Sequence, residues 1–282
     1  MVRDTGLHVR CSTVFYTMSC SLYAIAAAAY HGNAHGTQAL LPSTLLQHER
    51  AGAKKMSASA FSDMVLTGDM AMALQVSTPL ASQILFLSPL QVMETFRDEG
   101  TRDASALPYA AMVVNGVAWC AYGLTLPTPD LTIIAGNAGG VAFGLYYCGI
   151  FRTNMSPGSD AQTCFAGAVA VSAAILFTSV TLPVPEAHEL IGLAGMAFSV
   201  LMFSGPLASV QAILRDCSAS SLPLGFTVAT VLNCVLWATY GMFVIQDPLV
   251  WGPNVAGLVA SATQLSLYAK YGKNEEGCAI YD

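Results

Sequence analysis

The chain reads as an all-α membrane protein of seven transmembrane helices, and three observations lead there. Of 282 residues, 54% are hydrophobic and only 10% are charged, against roughly 25% charged in an ordinary globular domain. From Met70 onward the chain breaks into seven windows without a charge, at 70–93, 104–129, 131–151, 161–185, 190–214, 217–246 and 248–269. Each can cover a hydrocarbon layer of about 30 Å, which takes roughly 20 helical residues. Backbone amides find no partner in lipid, so windows of this length imply helices rather than barrel strands. Third, one series of dissimilar residues is written twice. Asn115, Trp119, Tyr122-Gly123, Asp130, Asn137 and Gly140 return as Asn233, Trp237, Tyr240-Gly241, Asp247, Asn254 and Gly257, at an offset of 117 to 118 that also carries Pro89 onto Pro206. A fixed offset over so many residue types marks a duplicated unit.

Residues 1–68 stand apart from the windows. Arg3 and Arg10 precede an Ala-rich apolar run from Val14 to Tyr30, and a polar stretch with Arg50, Lys54 and Lys55 follows. A basic start before a modest apolar core has the form of a targeting segment. A disordered extension or a misassigned gene start is the other reading. Ala58-Ser59-Ala60-Phe61 looks like the plastid cleavage motif of algae with complex plastids, although it lies far from the apolar core.

The windows take their orientation from basic residues in the short connections. Arg97 and Arg102 follow the first window, Arg152 the third, Arg215 the fifth, and Lys270 and Lys273 the seventh, while the remaining connections carry no Lys or Arg. This alternation puts the C-terminus in the cytosol and the end before the first helix outside. The repeat then divides the chain into a first three-helix unit at 69–153, a linker helix within 154–185, a second three-helix unit at 186–272 and a cytosolic tail at 273–282. Three helices per unit would insert a direct second copy upside down. The single linker helix corrects this, so both bundles run parallel in a 3+1+3 layout.

Composition excludes several functions. The net charge of -6 leaves no basic footprint for nucleic acid. Cys120, Cys148, Cys164 and Cys234 sit inside apolar runs with no Cys-x-x-Cys in the chain, and they read as small packing residues rather than a metal or redox site. No catalytic serine, cysteine or metal set is recognisable, so the chain is not read as an enzyme and no cofactor is expected.

A carrier built from two copies holds its substrate near mid-membrane, at the interface between them. Asn137 and Asn254 each lie about seven residues inside their windows, and an uncharged amide offers donors and an acceptor to a hydroxylated solute. An unpaired amide in hydrocarbon is costly, so the pair needs mutual hydrogen bonds or a ligand. Trp119 and Trp237 lie near mid-helix rather than at the rim, where flat apolar rings suit the C–H face of a pyranose. No Asp, Glu, Lys, Arg or His occupies a window interior. Ion-coupled carriers commonly use such a group, so a neutral substrate moving down its gradient is expected.

Pro89, Pro108, Pro206 and Pro223 fall near the cytosolic ends of their windows, where proline permits a bend and could serve a gate. Helix-start proline is the plainer reading for Pro108 and Pro223. Tyr122, Tyr240, Asp130 and Asp247 cluster at the opposite ends, as an outer gate closed by Tyr-to-Asp hydrogen bonds or as rim anchors.

With these residues assembled, the chain resembles the SWEET sugar transporters over residues 72–272. The resemblance rests on Leu87-Ser88-Pro89, Leu107-Pro108-Tyr109, Asn115 to Gly123, Gly136-Asn137-Ala138-Gly139, Ser204-Gly205-Pro206-Leu207, Leu222-Pro223, Trp237 to Gly241, Asp247-Pro248 and Pro253 to Gly257. SWEET transporters are themselves the reference case for parallel repeats about the membrane normal. The resemblance implies passive, bidirectional transport of mono- or disaccharides by alternating access. It implies that Asn137 and Asn254 hydrogen-bond the sugar, that Trp237 stacks on it and Trp119 fills the matching wall. It further implies a proline tetrad of Pro89, Pro108, Pro206 and Pro223, an outer gate in which Tyr122 meets Asp247, and homo-oligomeric assembly. The expected setting is the plasma membrane, with an endomembrane or a plastid membrane as alternatives. Two departures stand out. Plant relatives frequently carry a small residue at the position of Trp119, so paired tryptophans reshape the pocket. The loop from Glu94 to Asp103 is partly acidic where the family usually has Lys-Ser-Thr. The competing reading is a proton-coupled PQ-loop carrier of amino acids or another small solute, which wants an intramembrane carboxylate that the windows lack. A seven-helix receptor would not carry the repeat.

Overall fold

The computed structural model describes residues 68–159, 161–202, 210–211, 213–215, 217–219 and 222–272. The N-terminal segment, Pro206 and the tail at 273–282 lie outside the described residues. Every described element is helical. These are α1 (Gly68–Leu87), α2 (Leu90–Glu99), α3 (Leu107–Thr125), α4 (Leu131–Thr153), α5 (Ala161–Thr181), α6 (Val184–Met202), α7 (Leu224–Tyr240), a π-helical turn (Gly241–Ile245) and α8 (Pro248–Tyr271).

The window at 70–93 is a helix broken in two. Pro89 has no N–H to give the carbonyl four residues back, and the ladder stops there. Ser88 takes over that carbonyl, with its amide and its hydroxyl donating to the Leu85 oxygen at 3.1 and 2.7 Å. The next carbonyl, of Phe86, accepts the buried Tyr147 hydroxyl at 2.7 Å. The ladder restarts at Met93, whose amide donates to Pro89. Beyond the break α2 is amphipathic and packs Met93 and Phe96 inward, Phe96 meeting the Phe151 ring edge-to-face at 5.4 Å.

Both long central helices begin on an aspartate. Asp130 accepts the Ile133 amide at 2.8 Å and Asp247 accepts the Leu249 amide at 2.8 Å, each a side-chain cap of the kind that contributes about 1 kcal/mol. The two copies approach these caps differently. In the first, α3 ends at Thr125 and a short loop leads to Asp130; in the second, α7 runs on into the π turn and Gln246 adopts a left-handed φ of 58°. The one-residue change in repeat offset, from 118 between the tryptophans to 117 between the aspartates, falls in this interval. Even so, the Asp130 amide donates to Gly123 and the Asp247 amide to Gly241, at 3.0 and 3.1 Å.

Helix contacts fall into matched pairs. α4 packs on α1 and α3, as α8 packs on α6 and α7; α3 meets α6, as α7 meets α1; α5 lies against α3, α4 and α6. The outside is apolar, with Val180 79% and Phe177 67% exposed, while Thr78, Ser82, Thr230, Ser261 and Gln264 are buried. That inverted distribution suits a lipid surround. Five described helices are long and apolar enough to span a membrane: residues 68–99 through the break, α3, α4, α5, and α7 with its π turn. The expectation of seven is met at five. The other two, α6 and α8, are diluted by polar residues, with Glu186, His188 and Glu189 in the first turns of α6 and Asn254, Thr263 and Gln264 along α8. Cysteines need a correction too: Cys120, Cys148 and Cys234 are free, but Cys164 is disulfide-bonded, as is Cys217.

Candidate functional site

A cavity of about 100 Å³ lies where the four cross-copy helices converge, lined among others by Trp119, Trp237, Asn137, Asn254, Asn115 and Asn233. Among the described residues, no charged side chain lines it.

Each tryptophan is seated by the opposite copy. The Trp119 ring presses on Gly195 of α6, where an added Cβ would stand 2.9 Å from Cε2. Gly136 of α4 gives the Trp237 ring a still tighter berth. Only glycine permits such an approach. The indole N–H groups are then fixed by serines. Trp119 Nε1 donates to Ser199 Oγ at 3.1 Å, and Ser199 Oγ donates to Asn115 Oδ1 at 2.9 Å. Trp237 Nε1 donates to Ser82 Oγ at 2.8 Å, and Ser82 Oγ donates to Asn233 Oδ1 at 3.0 Å. The two chains are copies of each other, each running Trp, Ser, Asn, with the asparagine one turn before its tryptophan.

Asn137 and Asn254 each bond first to their own helix. Each amide satisfies one N–H on the carbonyl four residues back, Asn137 on Ile133 and Asn254 on Val250, both at 2.8 Å. The remaining donor and the oxygen are left for the cavity that both side chains line. The sequence also gave no hint of Gln83, whose Nε2 donates to the Ala135 and Gly136 carbonyls at 3.1 and 3.3 Å and so grips α4 beside Asn137.

At one end of the bundle the copies are tied together. Tyr122 Oη donates to Asp247 Oδ2 at 2.5 Å, and Tyr240 Oη to Asp130 Oδ2 at 2.7 Å. Each aspartate thus spends one oxygen on capping its own helix and the other on a tyrosine of the opposite copy. Hydrogen bonds to charged groups contribute about 1.5 to 3 kcal/mol, and two of them join the copies at this end. One side has an addition. The His188 ring stacks on Tyr122 at 4.2 Å, its Nε2 stands 3.7 Å from Asp247 Oδ2, and its Nδ1 is 3.2 Å from Thr125 Oγ1. At the other end, a second cavity of about 250 Å³ is lined by Pro89, Pro108 and Tyr109 and shares Leu85, Phe86 and Met202 with the first. There Pro89 interrupts a helix, whereas Pro108 lies in the first turn of α3 and Pro223 precedes α7.

Comparisons with known proteins identify a family. The family described as "Sugar efflux transporter for intercellular exchange" matches residues 73–156 and again 189–276. The chain belongs to the SWEET family. Among its relatives, the bidirectional sugar transporter SWEET4 of Arabidopsis thaliana is 31% identical over 203 residues, covering 68% of this chain and 78% of that protein. The bidirectional sugar transporter SWEET11 of Oryza sativa subsp. japonica is 30% identical over 203 residues, covering 70% of this chain and 66% of its own length. A eukaryotic SWEET transporter of known structure superposes with a TM-score of 0.64 at 25% identity, covering 73% of this chain and all of that one. This SWEET-family chain is therefore an integral multi-pass membrane protein from a family of transporters rather than enzymes.

Proposed function

We propose that the protein is a passive, bidirectional carrier of a neutral mono- or disaccharide, working by alternating access between two parallel three-helix units at 69–153 and 186–272. The observation that carries this reading is the uncharged cavity flanked by Trp119 and Trp237 and lined by Asn137 and Asn254. Indole faces take the apolar C–H surface of a sugar ring, and the two amides take its hydroxyls. Among the described residues no Asp, Glu, Lys, Arg or His lines the cavity, so nothing there ties sugar movement to an ion.

Alternating access needs two ends that close in turn. The Tyr122 to Asp247 and Tyr240 to Asp130 bonds form the closed gate in this conformation. The cavity beyond Pro89 is the path to the other side. In the orientation with the C-terminus in the cytosol and the N-terminus outside, this is a carrier closed outward and accessible from within. Pro89 and Pro108, which line that cavity, form the inner gate together with Pro206 and Pro223, and the interrupted ladder at Ser88-Pro89 makes that break a hinge. α5 serves as the linker that lets the second unit insert parallel to the first, and the two separate family matches, which leave out 157–188, support that division. Family membership further supports residence in a lipid bilayer, with the plasma membrane as the first place to look and homo-oligomers as the form to test.

Uptake of a panel of labelled sugars in transporter-deficient cells tests the function; no uptake of any sugar would sink it. Orientation is read from Asn154-Met155-Ser156, a glycosylation sequon placed on the cytosolic side. An unglycosylated Asn154 in secretory-pathway expression is expected, and a glycan there reverses the topology.

A further inference from the structure

The geometry points to Ser82 and Ser199 as positioning residues for the substrate, each fixing the ring of a tryptophan that belongs to the other copy. The same offset that relates Asn137 to Asn254 relates these serines, since 117 residues separate Ser82 from Ser199. The inference rests on the proposed sugar pocket and adds what holds its stacking walls in place.

Serine chemistry sets the argument. A hydroxyl has one proton and two lone pairs, so one serine can accept from an indole N–H while donating to an amide oxygen. Both serines are engaged in this way, Ser82 between Trp237 and Asn233, Ser199 between Trp119 and Asn115. The indole has a single donor. Once that donor is held and the ring rests on Gly136 or Gly195, the ring is pinned at two places, and its free face is presented to the cavity. Removal of the serine hydroxyl leaves a nine-tenths-buried indole N–H without its partner, and the ring can turn about its side-chain bonds to find another. The cost then falls on the sugar, which meets a wall that has to be reordered on binding.

The placement adds a second consequence. Ser82 is on α1 and Trp237 on α7; Ser199 is on α6 and Trp119 on α3. These are the helix pairs that join the copies, so each ring is positioned across the interface that moves during transport. A serine that only strengthened helix packing would affect protein yield and maximal rate, leaving apparent affinity alone. A positioning serine acts on affinity.

The test uses the full chain in transporter-deficient cells, with labelled glucose and sucrose as probes and with the amount of protein at the membrane measured. Ser82→Ala and Ser199→Ala should each raise KM about threefold to tenfold, the range expected for one hydrogen bond, with a smaller change in maximal rate per molecule. Ser82→Thr and Ser199→Thr keep the hydroxyl and should restore KM. In a Trp237→Phe background, which has no indole N–H, adding Ser82→Ala should cost nothing more. An unchanged KM in both alanine variants, or an equal cost with and without the indole N–H, overturns the inference. A second reading needs no transport: in purified protein with Trp119→Phe and Trp251→Phe, the emission of Trp237 should lose anisotropy when Ser82→Ala is added, and unaltered anisotropy also overturns it. Absence of transport by the wild-type chain would count against the proposed function, and the fluorescence arm would still decide the role of Ser82.

Discussion

The two copies match closely in the middle of the bundle and differ at its edges. At the centre, the Trp-Ser-Asn chains, the amide-to-carbonyl bonds of Asn137 and Asn254, and the cross-copy Tyr-Asp bonds all occur twice, with distances that agree within 0.3 Å. At the edges, the second copy crosses from tyrosine to aspartate on a π turn where the first uses a loop, and His188 stacks on Tyr122 with no equivalent at Tyr240 among the described residues. Under the proposed function, a ligand between the copies meets matching chemistry from both sides. The ends of the helices meet different loops and have no such constraint.

The largest expected effect comes from the aspartates, because each does two tasks. Asp247→Ala removes a cap worth about 1 kcal/mol together with a charge-assisted bond worth about 2 kcal/mol. Only the cross-copy bond depends on closure, and about 2 kcal/mol shifts the closed state by about thirtyfold. Asp130→Ala should do nearly the same. Transport should fall more than tenfold in both, and cysteine-reactive probes should reach the Tyr-Asp end. Tyr122→Phe keeps the cap and should match Asp247→Ala in loss of closure while keeping more thermal stability; equal stability in the two variants would mean the cap contributes nothing.

Next comes the glycine comparison. Gly136→Ala should weaken glucose transport more than Gly195→Ala, because the Trp237 ring lies nearer the added methyl. Thermal unfolding of the purified variants separates displacement of the ring from collapse of the fold, and the expected result is folded protein with raised KM. Equal effects of the two substitutions would mean that the tighter seat at Gly136 has no functional weight.

The smallest effect probes the asymmetry itself. Thr125 Oγ1 donates to the Tyr122 carbonyl at 2.9 Å and stands 3.2 Å from His188 Nδ1. The His188 ring also stacks on Tyr122 and brings Nε2 to 3.7 Å from Asp247 Oδ2. His188→Ala removes these contacts from one of the two Tyr-Asp bonds and should lower transport about twofold to threefold, in keeping with the loss of one ring pair. Unchanged transport in the variant would remove His188 from the gate.

Much of the centre was legible in the sequence because its residues are chemically distinctive. Trp, Asn, Tyr and Asp repeated at one offset announce both the duplication and its contents. Ser82 and Ser199 share that offset, but serine is common in membrane helices and has no spacing of its own, so it did not stand out. The offset alone was the available signal. Gln83, Gly195 and His188 gain their roles from helices far away in the chain, and no local pattern marks them. The break at Ser88-Pro89 was visible through proline. The capture of the Phe86 carbonyl by Tyr147 was not, since 61 residues separate the partners. Mean apolarity also passes over α6 and α8, where Glu186, His188 and Glu189 in one helix and Asn254, Thr263 and Gln264 in the other dilute the membrane signal.

Uptake by proteoliposomes under no ion gradient tests the central claim most directly. Labelled glucose should equilibrate across the wild-type membrane without a proton or sodium gradient. Asn137→Ala and Asn254→Ala should each reduce the rate more than tenfold and to a similar extent, as mirrored halves of one site require. A rate unchanged by both substitutions, or movement seen only when a proton gradient is imposed, would contradict a neutral, uncoupled sugar pocket shared between the two copies.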